Sequence, residues 1–191
     1  MGDGEGAEVR QVVILLLRGI NVGGHNKIRM ETLRALCESL GMTEVRTYIQ
    51  SGNVVGKAGK QAPGVLSRQL EDAIEKQEGF RPGVVARTAA ELRAVIRQNP
   101  FAGRGDVLPN RLAVVFLAAD PGDAARAEIR TMDLKPEELV VEGREMYIHF
   151  PNGMGTTKLP MPKIERILKT HGTARNWNTV EKLMEMAGGA A

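Results

Sequence analysis

The stretch V-V-I-L-L-L-R-G-I-N-V-G-G-H-N-K-I, from Val12 to Ile28, decides how the rest of the chain is read. Val12 to Leu17 is too short for an independent helix and rich in branched side chains, so it predicts a strand buried on both faces. The apolar run ends at Arg18. Gly19, Asn21, Gly23, Gly24, His25, Asn26 and Lys27 then make a polar loop. Met30, Leu33, Leu36, Cys37 and Leu40 follow at helical spacing, and Gly41 supplies a stop. A buried strand thus delivers polar groups to a loop, which is the first candidate site.

Outward from there, Val45 to Gln50 and Asn53 to Lys57 are β-prone runs around Ser51-Gly52, which predicts a hairpin with a two-residue turn. Leu66, Leu70, Ala73 and Ile74 mark a second helix ending near Gly79, and Gly83 to Arg87 a short strand. Thr88 with Glu91 has the spacing of a capping box and opens a third helix that runs to Asn99-Pro100. The order is βαββαβ plus a helix.

A loop over residues 101–110, with Gly103, Gly105 and Pro109, precedes a second pass through the same plan. Leu112 to Ala118 is another continuous apolar strand, and Asp120-Pro121 with Asp123 starts a helix through Ile129. Leu139 to Val141 and Met146 to Phe150 flank Gly143-Arg144 as a second hairpin. A helix from near Pro162 through Ile164, Ile167 and Leu168, a strand at Thr173 to Arg175, and a last helix complete the unit. Asn178 and Glu181 there repeat the spacing of Thr88 and Glu91. The expected fold is α+β: two tandem ferredoxin-like βαββαβ units, each followed by an extra helix. Residues 1–10 read as a disordered tail, 11–100 as the first unit, 101–110 as a linker and 111–191 as the second. The first strand of each unit is apolar on both faces, whereas the helices of such a unit cover only one. The extra helices, the other unit or another subunit must cover the second face.

Composition narrows the function classes. Hydrophobic residues make up 42% of the 191, ample for a core, and the single cysteine, Cys37, permits no intramolecular disulfide. No apolar run approaches the roughly 18 residues of a membrane span, and the acidic, glycine-rich start is unlike a signal peptide. A cytoplasmic location with no membrane partner is the expectation. Lys plus Arg number 26 against 23 acidic residues, a net charge of +3, too small to imply nucleic acid by itself. A local excess stands at the C-terminal end, in Lys158, Lys163, Arg166, Lys169, Arg175 and Lys182, opposed only by Glu165 and Glu181.

Topology converts these segments into a candidate site. In a split βαβ unit the end of the first strand and the hairpin between the second and third share one edge of the sheet. Arg18, Asn21 and Lys27 therefore converge with Tyr48, Ser51 and Asn53. In the second unit Lys158, after the third strand, shares the opposite edge with Arg175, Asn176 and Trp177, after the fourth. A groove between the units would gather all four segments. Arg18 offers a fork of donors, Lys27 and Lys158 point charges, and the glycines close backbone approach, a combination suited to phosphate or carboxylate. Trp177 could stack on a base or sugar, or serve as a core anchor with Asn178 as a cap. The plainer reading of the remainder pairs Arg18 with a carboxylate, makes Asn21 a cap and gives Ser51 to Asn53 to turn formation. His25, His149 and His171 stand in no metal-ligand spacing, so no metal is expected, and no motif calls for a cofactor. Cys37 lies on the apolar stripe of its helix, as a core thiol would.

L-L-R-G-I-N-V-G-G at Leu16 to Gly24, T-Y-I-Q-S-G-N-V at Thr47 to Val54, N-P-F at Asn99 to Phe101 and T-A-R-N-W-N-T-V at Thr173 to Val180 together resemble an uncharacterised bacterial family known only as a domain of unknown function. The resemblance spans nearly the whole chain. It implies two ferredoxin-like subdomains and no established activity. Family members often carry serine before the lysine of a G-x-G-x-S-K-L segment. This chain has Gly153, Gly155, Thr157 and Lys158 there, and threonine keeps the hydroxyl.

Three functions follow as expectations. The first is binding of a small anionic ligand, phosphate- or nucleotide-like, in the cleft between the halves. The second is nucleic-acid binding through the basic C-terminal stretch, against which stand the 4% aromatic content and the lack of an RNP1 pattern. The third is an enzyme of unassigned reaction, with no paired carboxylates, metal cluster or nucleophile beside a visible base to support it. Oligomeric state is left open.

Overall fold

A computed structural model describes residues 10–188, so the expected tail, apart from Arg10, lies outside the described residues. The first unit runs β1 (Gln11–Leu17), α1 (Met30–Ser39), β2 (Thr43–Tyr48), β3 (Asn53–Ala58), α2 (Pro63–Glu78), β4 (Val84–Thr88) and α3 (Ala89–Arg97). The second runs β5 (Leu112–Leu117), α4 (Gly122–Arg130), β6 (Glu138–Glu142), β7 (Glu145–His149), α5 (Met161–Leu168), β8 (Gly172–Asn176) and α6 (Trp177–Met186). Each forms a four-stranded antiparallel sheet, in the orders β2-β3-β1-β4 and β6-β7-β5-β8. This is the ferredoxin-like α+β arrangement, twice over.

The period of a strand explains how the units join. Val13, Leu15 and Leu17 of β1 point into a core closed by α1 and α2 through Leu33, Cys37, Leu66, Leu70 and Ile74. Ile14 and Leu16 point the other way, into a central core shared with Val114, Phe116 and Tyr147 of the second sheet and roofed by Leu92 and Val95 of α3 and Trp177, Val180 and Leu183 of α6. Ala113, Val115 and Leu117 of β5 complete a third core with Ile129, Ile164 and Leu168. The second apolar face of each first strand is thus covered by the extra helices and the other unit together.

Two local expectations need correction. The first hairpin turns through Ile49 to Gly52, because Tyr48 pairs directly with Asn53. Gly52 decides this: its φ is +76°, and a Cβ there would lie 2.7 Å from side-chain atoms of both Leu17 and Ile20. Ile49 takes φ +50°, a costly conformation for a β-branched residue. At the last helix the cap is Asn176 in place of Asn178. β8 carries on to Asn176, whose side chain accepts from the Asn178 N–H, while Glu181 accepts the Trp177 indole N–H at 2.9 Å. The capping box of Thr88 and Glu91 is present as the spacing predicts.

Candidate functional site

The loop from Arg18 to Arg29 is held at both ends by buried isoleucines, Ile20 and Ile28. Asn21, at φ +54°, ties it together. Its Oδ1 accepts from the Ile28 N–H at 3.0 Å, and its Nδ2 donates to Ile28 O at 3.1 Å and to Gln50 O at 2.9 Å. Asn26 Nδ2 donates to Gly19 O at 3.0 Å, and a small turn from Val22 to His25 caps the loop. Asn21 therefore shapes the wall, and Lys27 and Arg29 are left exposed beside it.

That wall encloses one side of an open hollow of about 680 Å³, lined by Asn21, Gly24, Lys27, Arg29 and Gln50, by Met30, Glu31 and Thr32 of the first turn of α1, and by Gln77 and Glu78 at the end of α2. Arg29 is the N-cap of α1, and no side chain caps the helix. The leading N–H groups of a helix have no internal acceptor and sit at the positive end of its dipole, so this rim is polarised toward an anion. Glu31 and Glu78 put carboxylates on the opposite side of the charge balance, and Gln50 and Gln77 add neutral amides.

The remaining candidates are placed differently. Arg175 is 7% exposed, and all five guanidinium N–H groups are engaged. Nη2 faces Leu17 O at 2.8 Å with Ser51 O and Gly52 O at 3.2 Å, Nη1 donates to Thr173 Oγ1 and Ala174 O, and Nε donates to Asn53 Oδ1. Burial among neutral acceptors pulls its pKa down to about 10. Asn53 is fully buried and also donates to Tyr48 O and Ser51 Oγ. These groups converge as the topology predicts, but they close on one another and leave no donor for a ligand. Tyr48 packs at the edge of the central core, in which Trp177 is buried, and Asn176 Nδ2 donates to Asn110 O. Trp177 is a core anchor and offers no stacking platform. Arg18 pairs with Glu165 of α5 at 2.8 Å, both about half exposed. Lys158 is exposed on the segment leading to α5 and does not line the hollow. The facing surfaces of the units are filled by the shared core, so the hollow lies on the first unit and not in a cleft between halves.

Two groupings escaped the sequence reading. Arg87, 1% exposed on β4, repeats the arrangement of Arg175: it donates to Leu117 O at 2.8 Å, to Arg144 O at 3.1 Å in the second hairpin, and to Glu145 Oε1 at 2.9 Å. Burial lowers its pKa, against the pull of Glu145. Asp106, Glu138 and His149 also meet, with potential ligand atoms within 4.8 Å of one another, and are the residues among those described that could hold a metal ion. Arg104 already bridges both carboxylates, at 2.6 to 2.8 Å. Its hydrogen bonds, with that of His149, pull Glu138 down to about 2. No sequence spacing announces this group, because it joins the inter-unit segment to β6 and β7. Cys37 is buried, and desolvation pushes its thiol up to about 12, away from nucleophilic use. Among the described residues no helix is long and apolar enough to cross a membrane.

Comparison with known proteins agrees with this architecture. Residues 11–147 match the family described as protein of unknown function DUF1697. A solved structure, the conserved bacterial protein SP0830 from Streptococcus pneumoniae, superposes with a TM-score of 0.67 at 25% identity, covering 93% of this chain and 99% of that one. No curated protein gives a significant match.

Proposed function

Because the chain belongs to the DUF1697 family, whose description carries no activity, the reading must come from its own residues, and we propose that it binds a small phosphate- or carboxylate-bearing molecule in the hollow at the start of α1. The observation that carries the proposal is the meeting, in one hollow of about 680 Å³, of Lys27 and Arg29 with an uncapped helix start. That volume lies within the roughly 300–1,000 Å³ of small-molecule sites. Lys27 and Arg29 would hold the anionic group, with the N–H groups of Met30, Glu31 and Thr32 beneath it. Gln50, Gln77 and Glu78 in the same lining suit hydroxyl or amino groups, so a sugar phosphate or nucleotide fits better than a bare anion. The sequence expectation of an anionic ligand is retained, and its place moves from between the halves to the first unit.

Isothermal titration with a panel of sugar phosphates and nucleotides tests this. At least one should bind, and Lys27→Glu should weaken it by tenfold or more, about 1.4 kcal/mol. Lys158→Glu, the same charge change elsewhere, should leave it within twofold. Equal weakening by both substitutions, or no heat from any phosphate compound, overturns the proposal.

A further inference from the structure

We propose a second, separate surface: the outer face of α5, continued by the groove where Arg18 meets Lys169 and His171, is a docking track for the phosphate backbone of a nucleic-acid duplex. Ile164 and Leu168 turn α5 onto its sheet, which leaves Pro162, Lys163, Glu165 and Arg166 toward solvent, and Lys169 follows as a left-handed C-cap. Glu165 is the one carboxylate on this face, and Arg18 pairs with it. No carboxylate of the described residues pairs with Lys158, Lys163, Arg166 or Lys169, and Glu165 is already taken by Arg18. The unneutralised charge of this face is therefore all positive.

Beyond the helix the track enters an open groove of about 470 Å³ between the units, walled by the Arg18–Glu165 pair, Lys169, Thr170 and His171 over Ala118 and Ala119. Complementing the helix dipole explains cations in the last turn, which accounts for Arg166 and Lys169. It does not explain Lys163 in the first turn or Lys158 just before it. Positive charge there is opposed by the dipole and gains nothing for the fold. A row of phosphates would reward all four alike. No Phe, Tyr or Trp lines the groove or stands on α5, so the platform on which single-stranded bases stack is missing. A duplex, which offers its backbone with bases already stacked, matches what the surface presents.

Fluorescence anisotropy of the full chain with duplex RNA and duplex DNA of about two helical turns, from 50 to 200 mM salt, is the test. The expected result is sequence-independent binding with Kd on the order of 10⁻⁵ M that weakens steeply with salt. Lys163→Gln with Arg166→Gln should flatten the plot of log K against log salt by roughly 1.8. Arg93→Gln with Arg97→Gln, an equal charge change on exposed α3 positions, should leave the slope unchanged. Three results overturn the proposal: no binding at 50 mM salt, equal losses in the two double variants, or tighter binding to single strands than to duplexes of the same length.

Discussion

Arg87 and Arg175 hold the fourth place of their five-residue strands, each after an alanine and before the residue that caps the next helix. Each reaches across to the end of the other unit's first strand, Leu117 O for Arg87 and Leu17 O for Arg175, and to that unit's hairpin. The planar fork of five donors suits several carbonyls converging on one point, and a lysine could not serve them. Removing Arg175 would leave the buried Asn53 Oδ1 without its donor, while Leu17 O keeps Thr173 Oγ1 and Gly52 O keeps the Leu17 N–H; a buried acceptor left unpaired costs about 1–3 kcal/mol. Arg175→Leu should therefore lower unfolding stability by about 1–3 kcal/mol, and Arg87→Leu by about 3–5 kcal/mol, since Glu145 is left uncompensated. Urea denaturation reads this as a drop in midpoint at unchanged m value. A loss below 1 kcal/mol at either site would show that the crossed arginines are incidental. The letters A-R-N-W drew attention to Arg175 and Trp177, but charge and aromaticity do not tell a binding group from a buried clamp. Arg87 passed unnoticed inside a predicted strand, although its equivalent place in the repeated unit was the available signal.

At the scale of elements, the segment between α3 and β5 behaves as part of the fold. Phe101 is buried in the central core, and Arg104 binds Asp106 beside it and Glu138 on β6. Glu138 in the folded chain has its pKa depressed from the ordinary 4.5 to about 2, first by its hydrogen bonds from Arg104 and then by His149. A depressed carboxylate contributes stability that is fully present above its unfolded pKa and is lost as pH falls through the folded one. Thermal stability should therefore decline between about pH 4.5 and pH 2, and Arg104→Gln should make that decline shallower while costing at most about 1 kcal/mol at pH 7, since the pair is partly exposed. An unchanged acid slope in Arg104→Gln would remove the segment's tie to β6. Elements with strong local signals were legible in the sequence: the capping box at Thr88, the glycine stop of α1, and the Gly143-Arg144 hairpin all stand where the letters put them. The first hairpin was misread by two residues because its register is set by Gly52 packing against Leu17 and Ile20, a contact distant in sequence.

For the molecule as a whole, apolar residues on both faces of β1 and β5 required a second cover without naming it. The cover is mutual, with α3 and α6 lying over both sheets, and this fills the facing sheet surfaces, leaving open space between the units at their edges. Binding groups are consequently displaced to the rims. One rim is the hollow at α1, lined wholly by the first unit, and the other is the α5 face. Topology brought the loop after β1 and the first hairpin together from sequence alone, which the Asn21 to Gln50 hydrogen bond matches. Which of those groups remain available to a ligand depends on three-dimensional packing, and strand order carries no information about that.

Amide chemical-shift mapping of the full chain, titrated with glucose 6-phosphate and with AMP, addresses the anion hollow most directly. The expected result is saturable shifts for at least one ligand that are largest at the amides of Gly24, Lys27, Arg29, Met30, Glu31 and Thr32, small at Lys163 to His171, and saturating only at tenfold or more higher ligand concentration in a folded Lys27→Glu protein. Shifts centred elsewhere, or shifts that survive Lys27→Glu unchanged, would contradict it.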